Sequence, residues 1–167
     1  MPIFTLEVRA HLDGVASVTA GADYDWMLWF TCTNCGEKTD NALVFHESDK
    51  VEQVRGAVVN LQVKCKFCER VNDASIVTHK ASPHTYTSAY APDWHPFCEF
   101  EARGMQPAAW EMMPGLAIVG ESGVKFDESV LESTGSTYEF FGYDEKAKAS
   151  VSITEWEYRI TSARSRK

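Results

Sequence analysis

The sequence predicts an all-β protein made of two β-sandwich or barrel-like halves packed together, with a cysteine clamp in the first half. Three observations carry this. Apolar and polar residues alternate with period two along most of the 167 residues. No segment carries an apolar i, i+3, i+4, i+7 stripe over three turns. Two Cys-x-x-Cys pairs each close an apolar run of strand length, as "FTCTNCGEKTD" and "VKCKFCERVND".

The elements follow in order. Phe4, Leu6, Val8 and Ala10 alternate with Thr5, Glu7, Arg9 and His11, the pattern of a strand with one face buried. "DWMLWF" is a nearly continuous apolar run that ends at Cys32, and "NALVFHES" leaves the first cysteine pair. "VRGAVVNLQVKC" leads into the second pair and "DASIVTHK" leaves it, each rich in β-branched residues. From Ser82 to Pro96 the texture changes. "SPHTYTSAYAPDWHP" has turn-formers and aromatics without a steady period, and reads as a connector, residues 82–96. It separates halves 1–81 and 97–167, with one continuous domain as the alternative.

Beyond the connector, strands resume with "FCEFEARG", "GLAIVG", "VKFDESVL" and "TYEFFGY". "YDEKAKAS", Tyr143 to Ser150, is the best candidate for a helix, of a turn or two. The last strand, "SVSITEWEYRITS", sets Val151, Ile153, Trp156, Tyr158 and Ile160 inward. Its break in phase near Glu155 predicts a bulge. "TLEVRAHLDGVA" resembles "CEFEARGMQPAA" in being an alternating strand followed by a turn signal, which suggests two similar β units.

Composition narrows the function classes. A 44% hydrophobic chain of this length suits one compact domain, or two small ones sharing a core. The net charge of −8 lacks the basic footprint of nucleic-acid binding. Lys64, Lys66 and Arg70 around the second cysteine pair, and the tail "RITSARSRK", read as a solvated flank and a frayed end. No apolar run approaches the roughly 20 residues that span a bilayer. "MPIFTLEVRAHLDG" reads as a strand and not as an apolar leader. The expectation is a soluble intracellular protein, cytoplasmic or also nuclear.

In a reducing compartment disulfides are rare, and five cysteines fit a disulfide framework poorly. Zinc favours a tetrahedron of thiolates, and two cysteines two residues apart can turn both sulfurs to one metal. Gly36, just after Cys35, supplies the permissive backbone such a turn wants; the second pair has Glu69 there. Strands flank each pair, and 29 residues between the pairs are enough to run out and back. A thioredoxin-like motif would need a helix after the pair to lower the thiol pKa, and neither pair is followed by a helical pattern. The reading is one structural Zn2+ per chain on Cys32, Cys35, Cys65 and Cys68, since four thiolates leave no open position.

Other residues carry less. Cys98 reads as a small buried hydrophobe. His11, His46, His79, His84 and His95 are scattered and pair with no nucleophile. No phosphate loop, nucleophile elbow or His-Glu metal motif is present. "FDES" and "YDEK" read as a solvated acidic face. Trp26, Trp29, Trp94, Trp110 and Trp156 read as packing residues.

The order of these features resembles the eukaryotic CXXC-motif zinc-binding proteins, a group without a settled activity. The resemblance rests on the N-terminal strand, Trp29 followed by Cys32, Cys35, Gly36 and Glu37, "RGAVVNLQVKCKFCER", "CEFEARGMQPAAW" and "YDEKAKASVSI". It implies an all-β, pseudo-two-fold protein with one zinc on Cys32, Cys35, Cys65 and Cys68. The chain departs from the family pattern in "STYEFFGYDEK", where Trp-rich text is expected, and in a longer connector. The expected function is non-enzymatic: a monomeric module that meets a protein partner through the second half or the groove between halves. Its acidic face would favour a basic partner patch. The alternatives are metal handling, thiol-disulfide oxidoreduction, and a zinc ribbon binding nucleic acid through Lys38, Lys64, Lys66 and Arg70.

Overall fold

A computed structural model describes residues 2–53, 56–78, 84–126 and 131–163. His79, Arg55, the start of the connector, most of "FDES" and the last four residues of the tail lie outside them. The described residues form strands and no helix. They are β1 (Ile3–Asp13), β2 (Val15–Thr19), β3 (Trp26–Cys32), β4 (Leu43–Phe45), β5 (Val51–Glu52), β6 (Val58–Val59), β7 (Leu61–Lys64) and β8 (Val71–Val77). Next come β9 (Thr85–Thr87), β10 (His95–Arg103), β11 (Met105–Glu111) and β12 (Ala117–Gly120). The last four are β13 (Lys125–Phe126), β14 (Glu132–Ser133), β15 (Tyr138–Asp144) and β16 (Ala149–Ala163).

The period-two pattern becomes a seven-stranded sheet in the order β14-β15-β16-β1-β10-β8-β7. β1 lies antiparallel between β16 and β10. Its apolar set, Phe4, Leu6, Val8 and Ala10, is buried, and the residues between them are not. β1 and β10 are each followed by a glycine at positive φ, Gly14 (+71°) and Gly104 (+75°), and by a second strand. Those second strands cross over. β2 pairs with β12, and β11 pairs with β3. Strands from either side of the connector therefore share every large sheet.

The core is aromatic. The ring of Trp26 meets Tyr24 edge-on at 4.9 Å and Phe100 at 5.7 Å, and Trp156 meets Tyr86 and Phe97, both at 5.7 Å. Edge-to-face pairs of this kind suit the ring quadrupoles. Cys98 is buried among them, and burial pushes its thiol pKa well up.

Two segments differ from the sequence reading. "YDEKAKAS" holds the end of β15, a tight turn over Glu145–Lys148 and the start of β16, and no helix. The buried Asp144 carboxylate accepts the N–H groups of Lys146 and Ala147, which offers the backbone an alternative to a helical turn. The connector, read as patternless, contains β9. Tyr86 there is fully buried, takes the N–H of Ala10 on its hydroxyl and donates to the Asp93 carbonyl. The guanidinium groups of Arg9 and Arg159 lie over the Trp94 ring, at 4.6 and 4.4 Å. The expected bulge is present. Glu155 has φ +54°, and the β1–β16 register shifts between Arg9 and His11.

Two predictions follow from this packing. A Cβ on Gly14 would lie 2.7 Å from Val151 Cγ1. Left-handed strain plus overlap makes Gly14→Ala cost about 2–4 kcal/mol, read as a drop in urea midpoint. His46 sits between Asp25 and Asp49, with Nδ1 3.1 Å from the Asp49 carboxylate. Its pKa is raised, first by that Asp49 hydrogen bond. A raised histidine stabilises fully below its unfolded pKa near 6.5, and the gain disappears as pH rises through the folded value. His46→Ala is therefore expected to lower the urea midpoint more at pH 5.5 than at pH 8.5.

Candidate metal centre

β3 ends at Cys32, and the chain turns back through Thr33–Gly36. β7 ends at Lys64, and the chain turns back through Cys65–Glu69 into β8. The two turns are built alike. Cys32 N–H donates to the Glu37 carbonyl (2.9 Å), and Gly36 N–H donates to the Cys32 carbonyl (2.9 Å). Cys65 N–H donates to the Arg70 carbonyl (2.8 Å), and Glu69 N–H donates to the Cys65 carbonyl (2.9 Å). The turn demands a left-handed residue at its fifth position. Gly36 provides it at φ +79°, and Glu69 adopts φ +64° despite its Cβ. Glycine meets this demand without strain, and glutamate does not.

The turns face each other and bring together Cys32, Cys35, Cys65 and Cys68, with all four sulfurs within 4.8 Å of one another. Cys32 Sγ lies 3.7 Å from Cys68 Sγ, and Cys35 Sγ lies 3.5 Å from Cys65 Sγ. These contacts cross from one turn to the other. A disulfide would need about 2.05 Å, and all five cysteines are free. Four thiolates about 2.3 Å from one tetrahedral zinc would be spaced by about 3.8 Å. The donor set and its spacing thus fit a tetrahedral thiolate metal.

The electrostatics also call for a cation. Cys32 is pulled down to about 6, first by the Cys35 N–H and further by the Asn34 N–H and the Asn72 side chain. Cys68 is lowered by the Asn34 side chain and the Arg70 N–H. At Cys35 the Glu37 N–H works in the same direction, but burial and the three neighbouring sulfurs outweigh it and push the thiol up to about 12. Four ionised sulfurs cannot share this space without a positive charge among them.

The sequence reading missed two residues. Asn34 sits inside the first pair, and its side chain reaches Cys68 of the other turn. Asn72 is almost fully buried on β8, with its Nδ2 3.6 Å from Cys32 Sγ. No spacing rule singles out either asparagine. Gly104 makes room for Asn72, since a Cβ there would lie 2.1 Å from its Oδ1. His11, His46, His84 and His95 are not part of the cluster.

Swapping the left-handed residues tests the matched turns. Gly36→Ala is expected to cost about 1–2 kcal/mol. Glu69→Gly relieves similar strain against a looser unfolded chain, so the expected result is a gain of up to about 1 kcal/mol. Urea midpoints of the metal-loaded proteins check both.

Residues 5–161 match the family described as CXXC motif containing zinc binding protein, eukaryotic. The chain is 35% identical over 162 residues to the CXXC motif containing zinc binding protein of Xenopus laevis, covering 95% of this chain and 97% of that one. It is 33% identical over 154 residues to the protein of the same name from Homo sapiens, covering 90% and 92%. The crystal structure of C1orf123 superposes with a TM-score of 0.83 at 27% identity, covering 96% of this chain and 99% of that one. A hypothetical protein from Plasmodium falciparum shares the fold, with a TM-score of 0.85 at 18% identity, covering 96% and 100%. With the family matched over nearly its whole length and the cysteines gathered in one place, the chain belongs to the eukaryotic CXXC motif containing zinc binding proteins.

Proposed function

We propose that the protein holds one zinc ion on Cys32, Cys35, Cys65 and Cys68, and that it works by binding another protein and not by catalysis. The observation that carries this is the sulfur tetrad, two cysteines from each turn with all four sulfurs within 4.8 Å of one another. Such a set spends all four positions of a tetrahedral ion on protein thiolates, the pattern of structural zinc. When bound, zinc supplies a cross-link between the two turns. The chain's own part is to hold the sulfurs by the paired turn hydrogen bonds and to orient Cys32 and Cys68 through Asn72 and Asn34.

The lowered Cys32 favours one competitor, a thiol oxidoreductase, since a thiolate is the attacking species in disulfide exchange. The zinc-ribbon alternative rests on Lys38, Lys64, Lys66 and Arg70, all exposed around the turns. Against it stands a net charge of −8. Among the described residues no helix is long and apolar enough to cross a membrane. We place the protein in the cytoplasm or nucleus, as a monomer.

Native mass spectrometry of protein purified without added metal is expected to show one zinc per chain, lost in Cys32→Ser and in Cys65→Ser. A metal-free chain that reduces disulfides catalytically would put the oxidoreductase first. Chelation is expected to speed hydrogen exchange at residues 32–40 and 64–71 while β1, β10 and β16 keep their protection. A structural zinc stabilises most what it directly ties.

A further inference from the structure

A cavity of about 280 Å³ opens beside the cysteine cluster. Phe30 and Met105, both buried, line it together with the half-buried Leu43 and Val63. Phe67 also lines it, at the tip of the second turn, and is 75% exposed. A phenylalanine this exposed beside an apolar hollow leaves a large unburied surface on a water-facing corner. Val71, four residues on, is 55% exposed.

One wall of the cavity is a sheet edge. β7, which contributes Val63 and Lys64, ends the seven-stranded sheet, and among the described residues no strand pairs with its outer side. An edge strand offers backbone N–H and C=O groups in register for an added strand. Asn72, whose Oδ1 is buried and accepts no hydrogen bond, lines the same cavity.

The rim is locally basic on an acidic chain. Lys38, Lys64 and Lys66 meet two carboxylates there, Glu37 and Asp40. Lys66 already holds Asp40 at 3.4 Å, and Lys38 lies over the Trp29 ring at 5.9 Å. Lys64 has no acidic partner among the described residues. On a chain whose net charge is −8, an acidic segment finds a favourable local approach at these lysines.

We propose that this cavity docks an extended segment of a partner protein, which adds alongside β7, places one large apolar side chain against Phe67, Leu43 and Val63, and sets flanking carboxylates on Lys38 and Lys64. This rests on the reading of the protein as an interaction module and gives that module its surface and the chemistry of its partner. The surface lies at the metal end of the fold, and the partner segment is acidic where the composition alone had suggested a basic one.

The test uses the zinc-loaded full chain and two blocked heptapeptides. One has a tryptophan centre with three aspartates on each side, and the other has lysines in place of the aspartates. A panel varies the acidic peptide's centre through Phe, Leu, Met and Ala. Binding is followed by backbone NMR shifts and by affinity at two salt concentrations. The expected result is shifts confined to residues 37–43 and 61–72, with affinity falling as salt rises and as the centre shrinks to Ala. Phe67→Ser, and separately Lys38→Ser with Lys64→Ser, each weaken binding by about tenfold or more. All three positions are exposed, and native mass spectrometry confirms that the variants keep their metal. The proposal is overturned if no acidic peptide in the panel binds, if the lysine peptide binds as well, or if the variants bind unchanged. It is also overturned if sodium octanoate fills the cavity while every peptide fails, which would make this a small-amphiphile site. The interaction reading itself would fall to a different result, catalysed disulfide reduction by the chain after its metal is removed.

Discussion

The antiparallel pairing of β1 with β16 on one side and β10 on the other is the constraint on which the rest depends. β1 runs eleven residues, and its buried face supplies Phe4, Leu6, Val8 and Ala10 to the core. Slipping the register by one residue would turn all four to the opposite face, so burial fixes the register strongly. Once β1 and β10 lie side by side, Gly14 and Gly104 turn the chain at their ends, and the following strands are delivered to opposite partners. The cysteine turn after β3 then meets the turn after β7, because β3 pairs with β11 and β7 reaches β10 through β8. Thr33 N–H donates to the Gly104 carbonyl at 2.9 Å, tying the first cysteine turn to the central sheet.

Two corners of the fold meet the same demand by different chemistry. At one, the β7–β8 hairpin carries Cys65 and Cys68, has Glu69 at positive φ, and faces the Cys32 turn. At the other, the β15–β16 hairpin carries Asp144, has Lys148 at positive φ, and faces the turn after β12. There Glu121 N–H donates to the Gly14 carbonyl at 2.9 Å, as Thr33 does to Gly104. Asp144 takes the Ser122 hydroxyl at 2.5 Å, and that bond, with the Ala147 and Lys146 N–H groups, lowers its pKa. A carboxylate can satisfy a corner with hydrogen-bond donors alone. Four thiols cannot, because sulfur is a weak acceptor and ionised sulfurs repel.

The polar surface follows from the same economy of contacts. Arg9 pairs with Glu157 at 3.0 Å, Arg159 pairs with Glu7 at 2.5 Å, and both guanidinium groups cover the Trp94 ring. This fastens the segment before β10 to the outer face of β1 and β16. Exposed ion pairs are individually weak, but here both cations also gain from the face of an aromatic ring. At the cysteine end the surface is different, with exposed Phe67 and Val71 beside lysines of which, among the described residues, only Lys66 is paired, to Asp40.

Much of this protein is legible in its residues. Strict alternation in β1, and in β16 up to its bulge, set which side chains face inward, because a strand offers only two faces. The four cysteines identified themselves by spacing, and Glu155 marked its bulge by breaking phase. What the tertiary structure decided is which elements meet. That Cys32 comes within 3.7 Å of Cys68 and Cys35 within 3.5 Å of Cys65 depends on how two distant turns face each other. Asn72 and Asn34 join the site only through that approach, and no local pattern encodes it. "YDEKAKAS" looks helical in isolation, yet a buried Asp144 and its turn hydrogen bonds override that propensity. The cavity beneath Phe67 is likewise invisible in the chain, since Phe30, Leu43, Val63 and Met105 line one space only after β3, β4, β7 and β11 have come together. Local sequence sets the direction of each side chain, and long-range pairing alone sets its neighbours.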